Sequence, residues 1–206
     1  LGPDIGLQYV FIPEEYGGPG LDYSSYGLIM QELERGDSGV RSMASVQTSL
    51  VCFPIWKFAT EEQKQKYLPK LCAGEGLWGF GLTEPTAGSD AGGSQTTAVL
   101  DGDEWVINGS KIFITNAACD MTMGVTVQAI TGTRENGKPE YSCILVEAGT
   151  PGFKAVPMHK KMMWRSSNTA ELYFDNVRVP KENILGKKGD GFHQMLATLD
   201  GGRLSI

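Results

Sequence analysis

Two stretches in the middle of the chain, GFGLTEPTAGSD from Gly79 to Asp90 and KIFITN from Lys111 to Asn116, decide how the rest is read. Each joins an apolar or aromatic run to a threonine, Thr83 or Thr115, and then turns. Glu84-Pro85-Thr86-Ala87-Gly88-Ser89 cannot continue a regular element, because proline removes a backbone donor and glycine leaves the chain unconstrained. A hairpin between the two stretches would bring both threonines to neighbouring strand ends, aimed at one ligand.

Outward from these stretches, the chain changes character near Gly74. From Trp78 onward, short β-branched or alternating runs recur: Thr96–Leu100, Glu104–Ile107, Lys111–Thr115, Met123–Ile130, Tyr141–Val146 and Glu171–Phe174. Asn108-Gly109 reads as a type I′ hairpin turn. The region predicts an antiparallel β barrel or sandwich without βαβ alternation. Before it the chain reads helical. Tyr26, Ile29, Met30 and Leu33 follow a Ser24-Ser25 cap, Met43 to Phe58 is broken by Pro54, and a capping box at Thr60–Gln63 opens a helix closing near Pro69. In that last helix Glu62 stands one turn before Lys66.

After Asp190 the spacing of Phe192, Met195, Leu196 and Leu199 predicts a helix interrupted at Asp200-Gly201-Gly202. An apolar helix face with no partner points to sequence beyond Ile206, and the first residues read like a cut into a domain. The expected organisation is α+β. It comprises an N-terminal helical domain over 1–76, a middle β domain over 77–188, and the start of a C-terminal helical bundle over 189–206.

Composition narrows the function. A net charge of −6, with no basic stripe, argues against nucleic acid. The Lys160-Lys161 and Lys187-Lys188 pairs read as solvated loop charges. No run approaches the roughly 20 apolar residues that span a bilayer, and no signal peptide is evident. Cys52, Cys72, Cys119 and Cys143 have no metal or redox spacing and read as reduced thiols. His159 and His193 stand alone, so no metal is expected.

Thr83 ends a strand with its hydroxyl and nearby N–H groups unpaired by a ladder, which suits the N and O acceptors of an isoalloxazine edge. Ser89 follows on a flexible turn that would meet a phosphate or thioester arm. Phe113 and Thr115, two apart on a strand, share a face where a ring and a hydroxyl would meet such a ligand. A Gly/Pro loop and an ordinary strand with no ligand remain the alternative. Gly74-Glu75-Gly76-Leu77-Trp78-Gly79 matches a dinucleotide-binding pattern, but a helix precedes it and a strand follows, the reverse of what that motif needs. Asn108-Gly109-Ser110 matches a glycosylation sequon by accident.

With LYFDNVRVPKENILG, Leu172 to Gly186, these motifs resemble the acyl-CoA dehydrogenase family in kind and in order, nearly end to end. The resemblance implies FAD bound by Phe80, Gly81, Leu82, Thr83, Ser89, Phe113, Ile114 and Thr115, with Phe113 where many relatives carry Trp. It implies an acyl-CoA substrate touching Ser89, Asp200 and Arg203. Glu34 to Ser45 is similar to glutaryl-CoA dehydrogenases, in which the positions of Arg41 and Ser45 hold a distal carboxylate; Ser42 goes with them. An ion pair of Arg41 with Glu34 or Asp37 is the competing reading. Lys160 to Arg203, with Met162–Asn168, instead resembles the short-chain enzymes.

One branch of the family carries its catalytic base just before the arginine, where this chain has Gly202. The base is therefore expected beyond Ile206, with no catalytic residue in this chain and none of its activity in the 206 residues alone. The resemblance further implies α,β-dehydrogenation, a homotetramer, electron-transferring flavoprotein as acceptor, and a bacterial cytoplasm or a mitochondrial matrix. An acyl-CoA oxidase or flavin monooxygenase of the same fold, a non-dehydrogenating acyl-CoA binder, and a flavin-free β module are the alternatives.

Overall fold

The computed structural model describes residue 7 and residues 9 to 203. The readings of the chain's two ends fall partly on residues 1 to 6, 8 and 204 to 206, which lie outside the described residues.

The helical part comes first. Helix α1 (Tyr23–Gly36) is capped by Asp22, whose carboxylate accepts from Ser25 N–H at 2.7 Å, rather than by Ser24-Ser25. Asp37 caps α2 (Ser38–Ser45) in the same way. The chain then winds through a π-helical stretch, Val46–Cys52, straight into α3 (Phe53–Phe58). Pro54 therefore does not break the path. It sits in the first turn of α3, directly after the π-helical stretch, where the helical path passes through it.

Thr60 and Gln63 form the expected reciprocal capping box on α4 (Glu61–Cys72). Two expectations for α4 fail. The helix runs past Pro69, whose carbonyl still accepts from Ala73 N–H at 2.8 Å. Lys66 pairs with Glu147 of the β region at 2.7 Å, because tertiary contact outcompetes a weak pair along the helix surface.

Among the described residues, seven strands form one sheet: β1 (Leu77–Gly81), β2 (Thr97–Asp101), β3 (Glu104–Thr115), β4 (Thr122–Thr133), β5 (Pro139–Glu147), β6 (Phe153–Pro157) and β7 (Thr169–Pro180). The pairing is antiparallel except where β1 and the start of β2 lie parallel to β4. The helix-then-strand order with the opening of a further helix matches the expected α+β class.

Asn108-Gly109 is not a turn. The β2–β3 hairpin closes at Gly102-Asp103, with Gly102 at φ +62°, and β3 passes through Asn108-Gly109 as a bulge facing β7. Asn108 Oδ1 accepts from Asn176 N–H across that bulge at 2.8 Å. A Cβ on Gly109 would sit 2.6 Å from Thr96 Oγ1, so the glycine permits close strand approach.

The sheet core is aliphatic and aromatic: Trp105, Ile107, Val125, Val127, Leu172, Phe174 and Val177 are among its buried members. The helical core, built around Tyr9, Ile12, Tyr26, Met30, Ile55, Leu68 and Leu71, reaches into the sheet through Trp78 and Leu145. Gln47, fully buried on the π-helical stretch, receives Trp78 N–H at 3.1 Å and donates to Trp78 carbonyl at 2.8 Å. That two-point contact fixes β1 to the helices.

Helix α5 (Gly191–Gly202) packs on the sheet through Met195, beside Phe80, Leu82, Cys143 and Leu185. It stays helical through Asp200 and Gly201 and ends at Gly202, at the glycine pair where the sequence places the interruption. A Cβ on Gly202 would lie 2.9 Å from Leu50, so the glycine lets α5 approach the π-helical stretch.

Candidate functional site

Where β1, β3, the π-helical stretch and α5 meet, a cavity of about 310 Å³ opens. Phe80, Leu82 and Thr83 reach it from the end of β1, and Gly88, Ser89 and Ala91 from the following loop. Phe113, Ile114 and Thr115 come from β3, Val46 and Leu50 from the helices, and Leu196, Leu199 and Arg203 from α5. The two central motifs are joined by a backbone hydrogen bond from Ile112 N–H to Thr83 carbonyl, 2.9 Å.

The expected same-face alternation of Phe113 and Thr115 is replaced by a bulge. The β3–β7 register shifts between Lys111 and Ile114, and Phe113 adopts a left-handed φ of +61°. The bulge turns Ile114 into the core and leaves Phe113 60% exposed, while Phe113 and Thr115 still line the same cavity. A bulky residue held in that backbone state is strained, and such strain concentrates at functional sites.

Beneath the cavity floor lies a pair that the sequence reading missed. Lys111 Nζ lies 2.8 Å from Glu84 Oε1 and 3.2 Å from Leu82 carbonyl, and both charged side chains are buried. Glu84 also accepts from Gln95 N–H at 2.6 Å and Thr96 N–H at 3.0 Å. Burial pushes the Glu84 carboxyl up, but Lys111 and the backbone donors outweigh it and hold the group below its usual value. Burial lowers the Lys111 ammonium while Glu84 opposes that shift, and the pair straps the loop after β1 onto β3. The signal that could have found it is a lysine opening an otherwise apolar strand run, Lys111-Ile112-Phe113-Ile114.

Thr83 and Thr115 carry hydroxyls that make no hydrogen bond among the described residues, unlike those of Thr48, Thr122 and Thr198. Ser89 is exposed at the rim of the cavity, and its hydroxyl is likewise unspent among the described residues. Gly81 does not line the cavity; a Cβ there would stand 3.1 Å from Thr126 carbonyl, so it serves close packing behind it.

Arg203 lines the cavity and pairs with Asp200 at 3.3 Å, both exposed; Asp200 is outside the lining. Arg41, Ser42 and Ser45 are buried on α2, apart from the lining. Arg41 Nε donates to Glu34 at 2.7 Å, and its guanidinium lies 5.4 Å from the Trp164 ring centre. Ser45 Oγ donates to Ser42 carbonyl at 3.2 Å. Among the described residues no group of side chains could hold a metal ion, and no helix is long and apolar enough to cross a membrane. The four cysteines are free thiols.

The chain matches the family model for the N-terminal domain of acyl-CoA dehydrogenases over residues 3–75 and that for the middle domain over residues 79–177. It is 49% identical over 205 residues to a probable acyl-CoA dehydrogenase of Bacillus subtilis, covering 98% of this chain and 53% of that protein. The butyryl-CoA dehydrogenase of Megasphaera elsdenii superposes with a TM-score of 0.90 at 43% identity, covering 97% of this chain and 52% of that one. A glutaryl-CoA dehydrogenase of Mycobacterium smegmatis, solved with FADH2, superposes with a TM-score of 0.90 at 40% identity, covering 98% and 50%. The chain thus spans about half the length of the curated relatives it matches.

Proposed function

The chain belongs to the acyl-CoA dehydrogenase family, and from that premise we propose that the whole protein is an FAD-dependent enzyme that oxidises a short-chain acyl-CoA thioester to its 2-enoyl form. The observation that carries the reading is the convergence of two unspent hydroxyls, Thr83 and Thr115, on one cavity walled by Phe80, Leu82 and Phe113. That donor set fits the polar edge and flat faces of a flavin ring. FAD, when bound, supplies the two-electron oxidising chemistry. The residues of this chain bind and orient. Thr83 and Thr115 would donate to the ring edge, Phe80, Leu82 and Phe113 would exclude water from its faces, and the exposed Ser89 would meet the thioester arm. Arg203 lines the cavity from the end of α5. The base that takes the α-proton belongs to a part of the protein beyond this chain, as do the contacts of a homotetramer. Electron-transferring flavoprotein is the proposed acceptor, and the proposed compartment is a bacterial cytoplasm or a mitochondrial matrix.

The substrate class turns on Arg41. Its pairing with Glu34 neutralises the guanidinium, and it lies apart from the cavity lining, which favours an acyl chain without a distal charge. One observation favours a glutaryl-type substrate instead. Arg41 is 5% exposed, yet its two Nη groups make no hydrogen bond among the described residues, an unusual economy for a buried charge.

Anaerobic titration of the full-length protein with butyryl-CoA and, separately, glutaryl-CoA tests both readings. Bleaching of the flavin absorbance by butyryl-CoA alone is expected. Bleaching by glutaryl-CoA alone would transfer the assignment to the anion-clamp reading, and a flavoprotein bleached by neither would overturn the dehydrogenase itself.

A further inference from the structure

Strand β1 pairs with β4 only as far as Gly81, so Leu82 and Thr83 lie past the end of that ladder. Lys111 holds them instead. Its Nζ lies 3.2 Å from Leu82 carbonyl and 2.8 Å from Glu84 Oε1, a grip on the residue before Thr83 and on the one after it. Thr83 carbonyl itself accepts at 2.9 Å from the N–H of Ile112, next to Lys111 in the chain. Leu82, Thr83 and Glu84 are thus tied in turn to Lys111 and Ile112 of β3. The hydroxyl of Thr83 is left to line the inner cavity, which Lys111 itself does not reach.

Stability is a poor account of this device. Lys111 is 1% exposed, and burial lowers its ammonium. An apolar side chain of similar length would fill the space without that cost, and such replacements of buried ion pairs are often neutral or stabilising. An apolar side chain has no donor with which to reach a carbonyl and a carboxylate together. The carboxylate it reaches is anchored in turn by Gln95 N–H and Thr96 N–H, and the Glu84 and Ala87 backbones exchange hydrogen bonds of 3.0 and 3.1 Å. The turn that follows Thr83 is therefore fixed on both sides. A β-branched side chain has few rotamers, so holding the backbone from Leu82 to Glu84 also holds the direction of Thr83 Oγ1.

We infer that Lys111, through its pair with Glu84, is the positioning residue for the Thr83 hydroxyl, and so sets how strongly the cavity prefers a reduced flavin to an oxidised one. The inference rests on the flavin reading above and adds to it a residue that touches neither flavin nor substrate. A hydroxyl donates more strongly to a ring edge that has gained negative charge, so a misdirected donor costs the reduced state more than the oxidised one.

The test is the two-electron reduction potential of the flavin in the full-length holoprotein. Four proteins are compared: wild type, Thr83→Val, Lys111→Met/Glu84→Gln, and the triple variant that combines them. The double variant removes both charges together, so no unpaired charge is left buried. Thr83→Val should weaken the preference for reduced flavin about tenfold, the worth of one hydrogen bond to a charged group, which is about 30 mV toward lower potential. Lys111→Met/Glu84→Gln should move it the same way by at least about threefold. The triple variant should fall no further than Thr83→Val alone. Hydrogen exchange of the apoprotein gives a readout without flavin: amides from Leu82 to Ala87 should exchange faster in the double variant, with the β4–β5 ladder unchanged.

A double variant with the wild-type potential, or with wild-type exchange over Leu82 to Ala87, would overturn the inference and leave the pair as a strap alone. So would a triple variant displaced from Thr83→Val as far as the double variant is from wild type, since Lys111 would then act on the ring without Thr83. Thr83→Val at the wild-type potential would instead strike Thr83 from the flavin reading, and the inference would fall with it.

Discussion

Lys111 Nζ stands 2.8 Å from Glu84 Oε1, and neither side chain is open to solvent. The pair connects the two motifs that line the cavity, one charge from β3 and the other from the loop that leaves β1. Its carboxylate takes two further donors, Thr96 N–H on Oε1 and Gln95 N–H on Oε2. Buried ion pairs are seldom large net stabilisers, but breaking one leaves an uncompensated charge.

Lys111→Met should therefore destabilise the protein by about 3 to 5 kcal/mol. Lys111→Met/Glu84→Gln should recover part of that loss, since it removes the uncompensated charge while the amide oxygen keeps one acceptor for the backbone donors. Denaturant unfolding of the single and double variants checks this. A single variant as stable as wild type would remove the strap from the account.

The same pair sets an acid dependence. Burial raises the Glu84 carboxyl, but Lys111 and the backbone donors prevail, so its folded value lies below its unfolded one. The contribution is then fully present above the unfolded value, about 4.3, and is lost as pH falls through the folded value. Wild type minus Glu84→Gln stability, measured between pH 7 and pH 3, should shrink on the acid side of that range and stay flat above it.

Gln47 joins the helices to β1 through both backbone groups of Trp78. Gln47→Leu strands a buried N–H and a buried carbonyl, at about 1 to 3 kcal/mol for each unsatisfied group. Thermal melts should show the loss. Hydrogen exchange should localise it to β1 and its β4 partner, with the β3–β7 ladder unchanged.

Gly109→Ala should be costly although the residue sits in a strand. Its φ is +145°, and a Cβ would lie 2.6 Å from Thr96 Oγ1 and 2.8 Å from Thr96 Cα. A destabilisation of about 2 kcal/mol or more is expected from strain and overpacking together. A melting temperature equal to wild type would mean that β2 and β3 are not held this closely.

Phe113→Ala separates stability from binding. The side chain is mostly exposed, so its removal should change stability by less than about 0.5 kcal/mol. Flavin affinity of the full-length protein should fall at least about tenfold if the ring is the stacking partner. Equal affinities would remove Phe113 from the proposed site.

Local chemistry was enough to establish some of this protein from its residues alone. The Thr60–Gln63 capping box needs only atoms within one turn, and the helix-to-strand change near Gly74 needs only periodicity. The loop at Glu84-Pro85 follows from what proline and glycine permit. The motifs around Thr83 and Thr115 were legible as a shared site because short strands of known type leave few ways to bring them together.

What tertiary structure decided was which of several locally acceptable options was taken. Asn108-Gly109 is a good turn, yet Gly102-Asp103 closed the hairpin, because β3 continues along β7 and Asn108 serves Asn176 across the bulge. Pro69 is a helix breaker in isolation, yet α4 continues through it to Cys72, with Leu68, Leu71 and Cys72 buried in the helical core. The bulge that re-aims Phe113 and the burial of Lys111 against Glu84 likewise depend on partners some 27 or more residues away along the chain. Long-range contacts of this kind leave no periodic trace, because their energy is collected only after the chain has folded.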